Sequence, residues 1–171
     1  DLSLARKKTS DKSAFVVCAM TPQGYLLVLD VIDDRIRIED QGKLFSNLCG
    51  KWKPQVVAAD DDMLAEMFVV ECRRWPHIPE IRKLPIGGNN KLYRGSAAII
   101  RAENGLVFLP EQAPWLDAFC DQLESFVGDG TDEHDDMVDA FGIVGRLADM
   151  LKSGARQSEA MPIVVGGRGI F

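Results

Sequence analysis

The chain is short of the features that mark secreted, membrane-spanning or zinc-thiolate proteins. Its four cysteines, Cys18, Cys49, Cys72 and Cys120, stand far apart with no CxxC pair and no Cys/His spacing. Three of them sit in apolar patterns, so reduced core thiols are expected rather than disulfides or zinc ligands, and an intracellular compartment follows. No secretory signal opens the sequence, and no stretch reaches the roughly 18 apolar residues of a membrane span. A GxxxxGK[ST] phosphate loop is missing, which excludes ATP hydrolysis by these residues. Positive charge is also in deficit. With 20 Lys and Arg against 26 Asp and Glu, the net charge is −6, the wrong sign for a plain electrostatic binder of nucleic acid.

What is present describes one soluble domain: 171 residues, 46% hydrophobic and 27% charged, enough to bury a real core. The chain opens on Asp rather than Met, and its first residues already read like the inside of a fold, so a fragment of something longer is expected. The excess acid is concentrated at Asp60, Asp61 and Asp62 and between Asp129 and Asp139. Divalent cations bound there would offset much of it, so the acidic balance leaves a metal-dependent enzyme acting on DNA open.

Periodicity gives the elements. Residues 14–20 (AFVVCAM) and 25–32 (YLLVLDVI) read as the two strands of a hairpin around TPQG. Residues 38–52 read as a helix, 55–59 (QVVAA) as a short strand running into Asp60, and 63–72 as a helix. A strand at 81–86, a Gly-Gly-Asn-Asn loop, a helix at 91–101, a short strand at 106–109 and helices at 114–126 and from about 134 onward complete residues 1–152. Residues 153–171, rich in Gly and small side chains, read as a C-terminal tail, flexible or docked through Ile163 to Val165. Strands alternating with helices after an antiparallel start predict an α/β fold, a mixed central sheet with helices on both faces. A loop and hairpin following Asp1 also predict a strand leading into Asp1.

The last helix carries the sharpest conflict in the chain. Met137, Ala140, Phe141, Val144, Leu147, Ala148 and Leu151 form a core-facing stripe, yet His134, Asp135, Asp136 and Asp139 crowd its first turns. At about 100° per residue, Asp136 lies roughly 80° from the stripe's centre, Asp139 roughly 140°, and Asp135 nearly opposite. Acids in a first turn complement the helix dipole and cap free N–H groups, which explains one or two of them. Like charges about 4 Å apart repel by roughly 4 kcal/mol at an effective dielectric near 20, unless a cation or an exposed face relieves them. His134 suits a helix cap, a ligand or a proton relay.

Functional groups in α/β sheets collect at strand ends. Alternation puts Val56, Ala58 and Asp60 on one side of their strand, Asp1 stands just after the expected first strand, and Asp136 starts the last helix. Three or four such carboxylates suit Mg²⁺ or Mn²⁺ and can hold two ions about 3.5–4 Å apart, the arrangement used for phosphodiester hydrolysis. Asp61 and Asp62 compete with Asp60 for a helix-capping role.

Five strings in order carry a resemblance: Asp1 with SDKSAFVV from Ser10, QVVAAD ending in Asp60, KLYR from Lys91 to Arg94, GLVFLPEQAPWLDAFCDQLESF from Gly105 to Phe126, and HDDMVDA from His134 to Ala140. With these, the chain resembles the nuclease domain of tailed-bacteriophage terminase large subunits, a branch of the RNase H-like nucleases. The resemblance implies a metal-dependent endonuclease that cuts concatemeric viral DNA during genome packaging in the host cytoplasm, using Mg²⁺ or Mn²⁺. It implies Asp1, Asp60 and Asp136 as the catalytic, metal-holding acids, Asp135 and Asp139 as neighbouring ligands, and Asp11 in support; His134, beside these acids, is a further supporting candidate by its position. It also implies double-stranded DNA, an ATPase motor domain of the same polypeptide, the small terminase subunit and the portal as partners. Many relatives carry Glu where Asp60 stands, and neither the first strand nor the motor is found in these residues. Arg6, Lys7, Lys8, Lys91 and Arg94 are the candidate DNA contacts, the last two matching the family's K-x-x-R string. Nothing resembles a groove-reading helix, so little base specificity is expected. A junction resolvase or transposase core would use the same acids on another DNA shape. A non-catalytic DNA-clamping or docking module would use them only as helix caps.

Overall fold

The computed structural model describes residues 12–86, 91–129, 132, 135–154 and 161–168, the last of these segments by its backbone. In chain order the elements are β1 (Ser13–Met20), β2 (Leu26–Asp34), α1 (Ile38–Trp52), β3 (Val56–Asp60), α2 (Met63–Cys72), β4 (Ile81–Leu84), α3 (Lys91–Glu103), β5 (Val107–Phe108), α4 (Leu116–Ser125), α5 (Asp136–Gly154) and β6 (Met161–Arg168). The six strands form one mixed sheet in the order β4-β3-β6-β1-β2-β5. β1 is antiparallel to β2 and β6, while β3 is parallel to β4 and β6. The expected α/β architecture is therefore present, and among the described residues no helix is long and apolar enough to cross a membrane.

Side-chain alternation explains the layers. Ala14, Val16, Cys18 and Met20 of β1 join Leu26, Phe119, Phe141 and Leu147 in a core under α3, α4 and α5. The intervening Phe15 and Val17 join Phe45, Leu48 and Cys72 under α1 and α2. Both faces of β1 are covered, so all eight of its residues are buried. On β3, Ala58 and Val56 belong to the α5 side and Val57 to the α1 side. The two-residue period then delivers Asp60 to the α5 side, as the sequence predicts. The stretch assigned to a C-terminal tail contributes β6 between β3 and β1, with Ile163, Val164 and Val165 in register with Val56, Val57 and Ala58.

α5 is enclosed far more fully than a single apolar stripe implies. Every residue from Asp135 to Gly145 is buried, because α3, α4 and strands β1, β3 and β6 all pack around the helix. Two glycines allow this. A Cβ added at Gly142 would stand 2.7 Å from the Arg94 carbonyl oxygen, and one at Gly145 would stand 2.5 Å from Ala98 N, so α3 lies backbone to backbone against α5. Gly145→Ala gains about 1 kcal/mol of helix propensity but forces two backbones apart. A net loss of about 1–3 kcal/mol is expected in urea denaturation, against the gain that a Gly→Ala change in a helix would otherwise give.

The thiols behave as core groups. Cys18, Cys49 and Cys72 are buried and Cys120 is half-buried, and all four are free. Burial pushes Cys49 and Cys72 from the usual 9.0 up to about 12, and Cys18 higher still. Their folded-state values are raised, so their contribution to stability is full below about pH 9 and is lost as pH rises toward 12. Alkylation of native protein at pH 8 is expected to label Cys120 first, with the other three reacting only after denaturation. Rapid labelling of Cys49 or Cys72 would contradict this packing.

Candidate functional site

The three consecutive acids after β3 divide their work. Asp62 caps α2, its Oδ1 accepting from Ala65 N at 2.6 Å. Asp61 lies 3.7 Å from the Lys83 ammonium. Asp60, freed from capping, turns its carboxylate toward α5 and α3. There Oδ1 pairs with the Arg146 guanidinium, while Oδ2 lies 3.5 Å from Arg94 Nη1. Arg146 also donates to the Pro85 carbonyl at 2.9 Å, fixing it to the end of β4.

Arg94 reaches the helix acids as well, with its Nη2 3.8 Å from Asp139 Oδ2. One guanidinium thus stands between a strand-end acid and an acid from the first turn of α5. Asp135, Asp136 and Asp139 are only 2%, 7% and 5% exposed. The outward orientation expected of Asp135 and Asp139 is corrected by these values. The phase argument assumes one covered face, and here the first turns are covered all round. Burying carboxylates away from water is costly without counter-charge or hydrogen bonds; Arg94 supplies counter-charge to Asp139 and, together with Arg146, to Asp60.

A side chain from another helix fixes the start of α5. Gln122 of α4 is buried, and its Oε1 accepts from Met137 N at 2.8 Å and Val138 N at 3.1 Å. Two of the four N–H groups left open at a helix start are thereby satisfied by an amide. The Asp135 carbonyl accepts from Asp139 N at 2.8 Å. Sequence reasoning missed both Gln122 and Arg146. For Arg146 the signal was its position seven residues after Asp139, two helical turns along the same face; for Gln122 it was an amide at helical spacing from Trp115 and Phe119, on the apolar stripe of α4.

The other expected site residues divide as follows. Asp1, Arg6, Lys7, Lys8, Asp11 and His134 lie outside the described residues, as does the side chain of Lys91. Arg94 is 7% exposed and turned to Asp60 and Asp139.

A model of the terminase RNase H-like domain matches residues 3–143. The chain belongs to that family. Searches of curated proteins and of solved structures each returned no match. For this terminase domain, membership carries a nuclease role in DNA packaging with DNA as the substrate. RNase H-like nucleases usually work with divalent metals, and Mg²⁺ and Mn²⁺ take oxygen donors. The acids at the end of β3 and the start of α5 offer such donors, so the chemistry of the donor set fits. Among the described residues no three acid, histidine or cysteine side chains stand close enough to hold an ion. Asp60 and Asp139 meet instead across Arg94.

Proposed function

We propose that this terminase domain is a divalent-metal-dependent endodeoxyribonuclease that cuts concatemeric viral DNA during packaging, with Asp60 and Asp136 as principal ligands and Asp135 and Asp139 beside them. The supporting observation is the shared guanidinium of Arg94, which Asp60 of β3 and Asp139 of α5 both approach. Asp1, from the far end of the chain, is proposed to complete the set. Two bound Mg²⁺ or Mn²⁺ ions would supply an activated water and charge stabilisation at the leaving oxygen.

The chain's own residues supply position. β3, paired on both sides within the sheet, holds Asp60 at a fixed strand end. Gln122 fixes the first turn of α5 and with it Asp136 and Asp139. Arg6, Lys7, Lys8 and Lys91 are proposed to meet phosphates. With so few cations on an acidic chain, the domain alone is expected to bind DNA weakly. Delivery would fall to an ATPase motor domain of the same polypeptide, the small terminase subunit and the portal, in the host cytoplasm. A non-catalytic clamp is the second reading, favoured by the full ion-pairing of Asp60, which is also how structural charge networks look.

Supercoiled plasmid distinguishes the two. Nicking in millimolar Mn²⁺ or Mg²⁺, abolished by EDTA and restored by added metal, is expected of the nuclease; retention of plasmid without nicks would leave the clamp. Metal that binds the native state alone also raises the melting temperature, by an amount that grows with its concentration. Mn²⁺ is accordingly expected to shift melting upward, and EDTA to reverse the shift.

A further inference from the structure

We infer that Arg146 is a resident counter-cation for Asp60, occupying the carboxylate in the metal-free protein and giving it up when a divalent ion binds. The inference rests on the proposed metal site and concerns its regulation. The guanidinium spans two partners, donating through Nη1 to the Pro85 carbonyl and through Nη2 to Asp60 Oδ1. Its Nε is buried with no hydrogen-bond partner among the described residues, so the pose is held by the fork alone.

Arg94 and Arg146 differ in how readily they can leave. Among the described residues the Arg94 side chain, 9% exposed, lies between two acids, whereas that of Arg146, 16% exposed, touches one. Swinging Arg146 outward removes one carboxylate contact and one carbonyl contact. Moving Arg94 would strip counter-charge from Asp60 and Asp139 together. The Asp60 carboxylate that would hold a divalent ion already carries the Arg146 cation on Oδ1, and two positive groups on one carboxylate would repel. The metal therefore binds in competition with Arg146, and apparent affinity is reduced by the fraction of molecules in which the arginine is seated. Arg94 stays in place and keeps Asp60 aligned with α5.

The competition makes an unusual expectation: deleting a charged residue should improve metal binding. Titration of Mn²⁺ alone into the DNA-free protein, followed by calorimetry, is expected to show Arg146→Met binding at least about tenfold more tightly than wild type, with a lower melting temperature before metal is added. Arg146→Gln, which keeps a donor for the Pro85 carbonyl, carries the same expectation should the Met variant not fold; Arg146→Lys, still charged, should stay near wild type. Adding Asp60→Asn should erase the difference between wild type and Arg146→Met. Unchanged or weaker Mn²⁺ binding in folded Arg146→Met and Arg146→Gln overturns the counter-cation role, and if Asp60→Asn still abolishes binding the metal site itself stands. Absence of Mn²⁺ binding in every variant overturns the metal site and the competition with it.

Discussion

Asp60→Asn is expected to lower metal-dependent DNA cleavage on the order of 10³-fold, about 4 kcal/mol of transition-state stabilisation, in a domain that remains folded. The substitution keeps the side chain's volume and one acceptor oxygen, so Arg94 and Arg146 retain a neutral partner at the strand end. What disappears is the ligand charge. The helix acids are buried as well, so Asp136→Asn and Asp139→Asn should each impair cleavage strongly, since neither carboxylate points to solvent. Asp61→Asn, at the surface beside Lys83, is the matched control. Plasmid nicking in Mn²⁺ and circular dichroism on each variant decide the matter. Cleavage by Asp60→Asn within a few-fold of wild type would remove Asp60 from the chemistry.

The second large effect belongs to Arg94. Arg94→Ala takes the guanidinium from between Asp60 and Asp139, whose side chains are only 13% and 4% exposed. Breaking a buried ion pair by removing one partner costs about 3–5 kcal/mol, because the remaining charge is left in the interior. At about 2–4 °C per kcal/mol for a chain of this size, the melting temperature should fall by roughly 10 °C. Millimolar Mn²⁺ should return part of that loss, a divalent ion replacing the missing counter-charge. The salt dependence of DNA binding should hardly change, since a guanidinium turned inward neutralises no phosphate. An unshifted melting temperature with a salt slope shallower by about one would mean that Arg94 faces the substrate after all.

Much of the fold was legible because its signals are local. The hairpin around Gly24, the strand running into Asp60 and the stripe on α5 follow from two- and 3.6-residue periods, and the side of β3 that carries Asp60 follows from Val56 and Ala58. The orientation of the helix acids was not legible by the same means. A wheel assigns one face to the core, but Gly142 and Gly145 let α3 close over the flank where Asp139 was expected to meet water. Those glycines, three apart in an otherwise good helix, were the available sign of a tight crossing. Arg146 and Gln122 escaped because their partners lie 86 and 15 or 16 residues away in sequence. β6 escaped because a short run broken by Pro162, Gly166 and Gly167 carries little strand propensity of its own.

That late strand has a consequence for how the protein is made. β3 and β4 on one side, and β1, β2 and β5 on the other, are joined in the sheet through β6. A nascent chain that has not yet delivered residues 161–168 holds two half-sheets, each with an interior edge of unsatisfied N–H and C=O groups. Such edges recruit strands from other chains, and pairings between distant parts of a sequence form slowly. The window between synthesis of β1 and arrival of β6 is thus the period of greatest exposure to misassembly. Chaperone demand, and the yield of soluble protein at high expression rates, should be governed by that interval more than by the stability of the finished domain.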